Sequence, residues 1–536
     1  MSRNSRTYVF SNIKLPIDAS VEEAFSVVRR KLRKNGADTA HLAFSIYRRS
    51  VDARKRDDIS FVYSVAVNGE IPPTVAECLG AVPILDELPE PAIGTTPLTD
   101  SPVVVGSGPC GLFAALILAE CGYAPVVIER GSCVKDRIRA VNRFNTTHVL
   151  DPDTNIQFGA GGAGTFSDGK LVTRINDPMS SYVLRRFVEF GAPSEIMYAA
   201  KPHVGTDVLS LIVDSILERI VSLGGRVLYN TRFISPITVS DSVVGVRTDK
   251  GDIPTGALIL AIGHSSRDTY STLMSLNMSI APKAFSVGMR IEHLAEDIDR
   301  AMYGSMAGHE KLGHAEYNLS YDTKNRGVYT FCMCPGGEVV AAASEDGGVV
   351  VNGMSRHKRD GRNSNSAVVC SVFKEDYGAT PESAIAYQQR IERAAFDATG
   401  GGYTAPIITV GDLLSGECKH EPRRILPTYM SGENVKLTRP EKYLPDYVVN
   451  GIKSALLSFD KKIDGFAVSD AVLTGAETRT SAPIRILRDN DTRLALGYHN
   501  LYPAGEGAGY AGGITSAAID GLKTALALMK IYKPSL

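Results

Sequence analysis

The sequence predicts an α/β protein. It expects a Rossmann-like dinucleotide-binding domain, interrupted by an inserted α+β domain and preceded by a small ferredoxin-like β-α-β-β domain. Three observations predict this. The run "VVVGSGPCGLF" ends a short apolar strand and opens an apolar helix. The last 40 or so residues return to strand, glycine loop and helix after a stretch of mixed texture. The N-terminal part carries its own β-α-β-β order and is cut off by a Pro-, Thr- and acid-rich segment, "DELPEPAIGTTPLTDS". The boundaries read as 1–85 for the small domain, 86–101 for the linker and 102–284 for the first part of the nucleotide domain. The insertion reads as 285–490, and 491–536 returns to the nucleotide domain.

Each element has a local cause. "TYVFSNIKL" is strand-like, and "SVEEAFSVVRRKLRKNG" is a helix opened by Ser20 and Glu23 at capping-box spacing and stopped by basic residues and Gly36. "HLAFSIY" and "ISFVYSVAV" are two further strands, joined by a basic turn. From Pro102, Val103–Val105 forms a buried strand. Gly106, Gly108 and Gly111 follow, then a helix, then "APVVIE" as a second strand ending in Glu129. The first glycine permits the turn, the second admits a pyrophosphate and the third lets helix pack on strand. The helix N-terminus offers free N–H groups to phosphate. Glu129 is placed for ribose hydroxyls, and its charge disfavours a 2′-phosphate. Pro109 and Arg130 flank these contacts.

Size and charge narrow the function. The chain has 536 residues, 44% hydrophobic and 22% charged. Lys plus Arg is 58 against 59 for Asp plus Glu, a net charge of -1, so no nucleic-acid or membrane partner is expected. No secretory signal or membrane span is read. Eight scattered cysteines without a C-x-x-C pair suggest neither a disulfide framework nor zinc, and a cytoplasmic location is expected. Oligomeric state is not legible.

Two more stretches match Gly-x-Gly-x-x-Gly, and neither is a complete nucleotide-binding unit. "FGAGGAGTFSDGK" contains Gly159, Gly161 and Gly164, but no strand precedes it and no apolar helix follows at once. It is either a structural turn or a loop against the cofactor of the first loop, through Gly161, Gly162, Gly164 and Ser167. "AGEGAGYAGGI" has a strand before and a helix after, but no second strand follows before residue 536.

Long words across the chain resemble FAD-binding members of the glutathione-reductase-like flavoprotein superfamily. More narrowly they resemble bacterial and plastid proteins described as uncharacterised FAD-dependent dehydrogenases. The words are "RSVDARK", "VVVGSGPCGLFAAL", "FGAGGAGTFSDGKL", "LILAIGHSSRDT", "FCMCPGGEVV", "NGMSRHKRDG", "ETRTSAPIRI" and "NLYPAGEGAGYAGGITSAAIDG". The resemblance implies FAD. It puts the backbone near Phe233 at the adenine, and Ala261 and Gly263 on a strand end by the cofactor. Gly505-Glu506 stands where the superfamily has Gly-Asp at the ribityl chain, and Gly512, Gly513 and Ile514 begin a helix aimed at the flavin. The family word carries Glu where this chain has Ala160.

The expected chemistry is hydride or electron transfer at flavin N5 with a small, anionic substrate. No second complete loop offers a pyridine-nucleotide domain. A flavoenzyme acting on RNA and a flavin-binding sensor without turnover are the alternatives. Lys170, His264 and Arg479 are the catalytic candidates. Two of them have a plainer reading: His264 as a structural histidine, and Arg479, with Arg290 and Arg359, as an internal ion-pair partner. Cys332 and Cys334 in "FCMC" share a strand face, as a redox pair or as free thiols.

Overall fold

A computed structural model describes residues 7–56, 58–84, 90–173 and 177–535. The ends of the expected small domain and residues 86–89 of the expected linker lie outside these.

The N-terminal strand Thr7–Pro16 lies between Ser60–Asn68 and Val82–Ile84, with Ala43–Asp52 outermost, and every pairing is antiparallel. Helix Val21–Lys34 crosses one face and buries Ala24, Val28 and Leu32. The Ser20 N–H donates to the Glu23 carboxylate at 2.9 Å, closing the capping box. The sequence reading stopped at β-α-β-β. The structure adds a short helix, Pro73–Cys78, and a fourth strand, which completes a β-α-β-β-α-β order. That helix has six residues and the strand three, too short for a periodic signal.

The nucleotide-type domain is a five-stranded parallel sheet in the order Leu501–Pro503, Leu258–Leu260, Val103–Val105, Val126–Ile128, Arg226–Leu228. Each strand is only three residues long, and four of the five are wholly buried. Such strands appear as bare apolar runs because helices or other chain cover both faces. Helix Pro109–Glu120 is buried at every position from Cys110 to Ala119. Helix Ile514–Met529 packs on it. A Cβ on Gly521 would lie 2.0 Å from the Cys110 carbonyl oxygen, so only glycine permits that approach. An antiparallel meander, Phe233–Val239, Ser242–Thr248 and Gly251–Pro254, precedes the strand Leu258–Leu260.

The chain leaves and re-enters this domain side by side, where Ile280–Pro282 pairs with Ile484–Ile486. Between them a seven-stranded sheet is built around Phe285–Leu294, buried at all ten positions. The segment expected as linker is partly structured: Thr96–Pro97 pairs with Tyr532–Lys533, tying it to the C-terminus. No helix among the described residues is long and apolar enough to cross a membrane.

Candidate functional site

A cavity of about 1290 Å³ lies where the parallel sheet ends against the inserted sheet. All three glycine loops reach it. The first loop is drawn tight by its own unit. Gly106 has φ +96°, and a Cβ there would lie 2.4 Å from the Ala261 carbonyl oxygen. A Cβ on Gly111 would lie 1.9 Å from the Gly106 carbonyl oxygen. Gly108 is different. Its nearest neighbour is the Gly162 Cα, 3.7 Å from where a Cβ would stand, so it leaves room in the cavity beside the N-terminus of helix Pro109–Glu120. Gly263 and Gly512 likewise face open space. These are the places where a flat or anionic group meets backbone without a side chain between.

The middle loop is clamped to the first. The Gly161 N–H donates to the Ser107 carbonyl at 3.1 Å, and the Gly159 N–H donates to the Glu129 carboxylate at 3.0 Å. Behind it stands Arg137, with no exposed surface. Its Nη1 donates to the carbonyls of Gly159 (3.2 Å), Ala160 (2.7 Å) and Gly162 (2.9 Å). Its Nε and Nη2 reach Asn155 (2.9 Å) and Ile156 (2.8 Å). Burial pulls this guanidinium down to about 10, against the nearby Glu129 charge. Gly164 meets Ile514 of the last loop, whose Cγ1 would be 3.2 Å from a Cβ. The three loops therefore form one continuous wall.

Most of the candidate cofactor residues line this cavity: Gly106, Gly108, Pro109, Glu129, Arg130, Gly162, Gly164, Ser167, Phe233, Ala261, Gly263, Glu506, Gly512, Gly513 and Ile514. Gly111, Gly161 and Gly505 do not. They lie beneath it, where Gly161 faces Thr165 and Val213 and Gly505 faces Cys110. Glu129 differs from its expected role. Its carboxylate accepts from the Ser107 N–H (3.0 Å) and hydroxyl (2.6 Å) and from the N–H groups of Gly131 and Gly159 (3.0 Å each). Four donors fill the acceptor directions of a carboxylate, so here it joins loops rather than waiting for hydroxyls. Ser167 likewise spends its hydroxyl on the turn, donating to the Gly164 carbonyl at 2.6 Å. Arg130 pairs with Asp268 and stacks over Phe158.

The catalytic candidates fare unevenly. Lys170 lines the cavity, half-buried, with Glu316 at 3.2 Å. His264 lines it too, but burial, with Arg479 and Arg267 nearby, pushes its imidazole down to about 3. Held neutral in this way, it fits the structural-histidine reading better than an acid–base role. Arg479 is also corrected. It is committed to the buried Glu392 at 3.0 and 3.2 Å, which also binds Arg267 at 2.7 and 2.8 Å. The two arginines hold Glu392 well below the usual carboxylate range despite its burial. Arg290 pairs with Glu477 at 3.1 Å, and Arg359 with Asp168 and Glu316 at 2.5 and 2.7 Å. For these three arginines the internal-pair reading holds.

Two cations remain. Among the described residues, Lys283 and Arg485 have no carboxylate within ion-pair distance, and both line the cavity. Arg485 donates to the Gly509 carbonyl at 3.1 and 3.3 Å and lies over the Tyr510 ring. Lys283 sits in "APKAF", where nothing in the sequence marks it out. Glu506 lies near Lys283. Burial lifts its carboxyl to about 7 against the pull of Lys283. Arg137 was also missed, because an arginine on a polar amphipathic helix reads as a surface residue.

Residues 284–480 match the family described as FAD-dependent protein, C-terminal domain-like, and residues 10–68 match a domain of unknown function, DUF8436. An uncharacterized protein of Clostridium beijerinckii is 44% identical over 523 residues, 96% of this chain and 97% of that one. Solved structures with weaker likeness include L-amino acid deaminase from Proteus vulgaris and glycine oxidase from Bacillus cereus. The first is 14% identical, covers 84% of this chain and 98% of that one, and has a TM-score of 0.34. The second is 9% identical, covers 80% and 94%, and has a TM-score of 0.31. Scores at that level do not establish a shared fold. The near full-length identity does establish kinship: the chain belongs to the family of the Clostridium beijerinckii protein, carries the C-terminal domain of FAD-dependent proteins, and has FAD as its cofactor.

Proposed function

We propose that the protein is an FAD-dependent oxidoreductase of the glutathione-reductase-like superfamily, acting on a small anionic substrate. One observation carries this reading. The three glycine loops and the inserted domain close on a single cavity, and Lys283 and Arg485 enter it without an ion-pair partner among the described residues. The backbone at Gly108 and the N-terminus of helix Pro109–Glu120 would hold the pyrophosphate, with Phe233 beside the adenine. Gly512, Gly513 and the N-terminus of helix Ile514–Met529 would hold the isoalloxazine end, with Glu506 at the ribityl chain. When bound, the flavin supplies hydride or electron transfer at N5.

The chain's own residues do the rest. Lys283 and Arg485 attract and orient a carboxylate or phosphate; the guanidinium suits a bidentate contact. Glu506, near neutrality, holds or gives up a proton in the working range. The inserted sheet forms one wall of the cavity beside these groups, and charge interactions gain strength where that wall shields them from water.

The test is anaerobic. The purified protein should show a flavin spectrum, and its visible band should bleach on addition of an anionic metabolite or a reduced pyridine nucleotide. Lys283→Met and Arg485→Met should each raise KM for that reductant about tenfold, equivalent to about 1.4 kcal/mol. Absence of flavin after reconstitution would overturn the reading. A bound flavin that no metabolite reduces would mark a sensor or binding protein instead.

A further inference from the structure

The strand Gly327–Cys334 lies on the inserted sheet beside Asn363–Val372, and its pairing slips just where it meets the cavity. Phe331 faces Ala367 and Cys334 faces Asn365, so one extra residue is accommodated between them. This is a bulge, and within it Cys332 adopts φ +46°, the left-handed region that a residue with a Cβ seldom enters. In a regular strand, residues two apart stand roughly 6.6 Å from each other, near the upper limit for a disulfide. The bulge instead turns the Cys334 thiol back toward Cys332, donating to its backbone carbonyl at 3.4 Å.

The two sulfurs have different surroundings. Cys332 lines the cavity, whereas Cys334 is fully buried behind it. Cys332 lines the same cavity as Asp168 and Lys170 of the middle loop and Glu506 of the last loop, so it faces the region those loops enclose. Arg290, without exposed surface, donates to the Cys332 carbonyl and reaches the Cys334 sulfur at 3.6 Å. Together the neighbouring Cys334 thiol and the Arg290 charge bring the Cys332 thiol down to about 6 against its burial. The same partnership keeps the Cys334 thiol protonated, well above its usual range. A front thiolate with a protonated thiol in reach behind it is the arrangement that dithiol exchange requires. A cysteine that merely fills a core needs neither a cavity face nor an arginine.

We propose that Cys332 and Cys334 are a redox dithiol in the cavity wall, interconverting with a Cys332–Cys334 disulfide by exchanging two electrons with the flavin. The proposal rests on the FAD reading above. The step balances. The Cys332 thiolate and the Cys334 thiol form one S–S bond, giving up two electrons and the Cys334 proton. The oxidised flavin takes both electrons and one proton and becomes the anionic reduced flavin.

The test counts electrons and thiols in the holoprotein. Oxidised wild-type protein, titrated anaerobically with dithionite, should take up two electrons beyond the flavin's own two. C332S and C334S should each take up only the flavin's two. Independently, mass spectrometry of the peptide spanning 332–334 should show the loss of two hydrogens in oxidised holoprotein and their return on reduction. Rapid iodoacetamide alkylation of reduced wild-type protein should fall on Cys332, with a midpoint near pH 6. A wild-type protein that carries flavin, takes up only two electrons and keeps both thiols when oxidised would overturn the dithiol and leave the functional reading intact. A protein without flavin would overturn both. The wild-type count needs no variant, so a misfolded substitution cannot obscure it.

Discussion

Residues 106–111 and residues 159–164 both read Gly-x-Gly-x-x-Gly, and they are held in opposite ways. In the first loop, two of the glycines are demanded by backbone of the same parallel sheet: Ala261 for Gly106, and Gly106 itself for Gly111. In the middle loop, the glycines are demanded by neighbours from elsewhere. A Cβ on Gly159 would lie 2.4 Å from the Arg137 side chain, and one on Gly161 would lie 2.0 Å from Thr165 and 2.8 Å from Val213. A Cβ on Gly162 would lie 2.9 Å from Gly108. The first loop is shaped by its own first glycine and by the adjoining strand end at Ala261. The middle loop has a shape imposed on it by Arg137, Glu129 and the loop it leans on. The same string of letters thus arises from two physical causes, and only one of them is written in the string.

Substitutions can break this contrast. The largest effect is expected at Arg137→Met, which leaves buried carbonyls of residues 155–162 without donors and should cost about 4 kcal/mol. Denaturant unfolding measures it. Arg137→Lys should restore little, because one ammonium lacks the planar fork that spans five carbonyls. If the middle loop shaped itself, Arg137→Met would be nearly silent. Next comes Gly111→Ala, which drives a Cβ into an unyielding backbone carbonyl and should cost about 3 kcal/mol, with loss of flavin from the folded fraction. Gly162→Ala adds a Cβ at φ +62° against Gly108 and should cost about 2 kcal/mol and reduce flavin occupancy. Gly164→Ala, where Ile514 can yield a few tenths of an ångström, should cost about 1 kcal/mol or less. Equal losses at Gly162 and Gly164 would show that the loop acts as a rigid unit.

A separate effect, spread over pH rather than fixed at one condition, is a pH slope. The Glu506 carboxyl rises from 4.5 to about 7 on folding, so the folded protein binds a proton that the unfolded chain releases between these values. The resulting stability is complete below about 4.5 and is lost as pH rises through 7. Glu477, also lifted to about 7 by burial against Arg290, acts in the same direction. Asp520 acts oppositely. Despite its burial, the hydrogen bonds and charges of Arg488 and Arg493 hold it at about 2, so its contribution is present above 3.8 and lost as pH falls through 2. Glu506→Gln in flavin-free protein should therefore flatten the fall in melting temperature between pH 5 and 8, by roughly 1–3 kcal/mol in stability. An unchanged slope would show that Glu506 stays ionised.

Much of the fold was legible because its signals are local. The Ser20–Glu23 cap, the Val103–Val105 strand and the fully apolar helix that follows declare themselves within a few residues. The short helix Pro73–Cys78 and the strand Val82–Ile84 were not legible, since six and three residues carry no period. The site was legible in its glycines and far less so in its charges. Arg479, Arg290 and Lys283 are all cations, and nothing local says which will find a carboxylate. Arg479 and Arg290 found Glu392 and Glu477, 87 and 187 residues away in sequence, and Lys283 found no ion-pair partner among the described residues.

By itself, then, the chain determined the nucleotide loop, its helix and its strands, because turn sterics, helix ends and apolar runs act between near neighbours. Tertiary structure alone decided that Glu129 ties two loops together, that Arg137 supports the middle one, and that Cys332 faces the cavity while His264 stays neutral. Those outcomes depend on burial and on partners brought from distant segments, and neither exists until the sheets have packed.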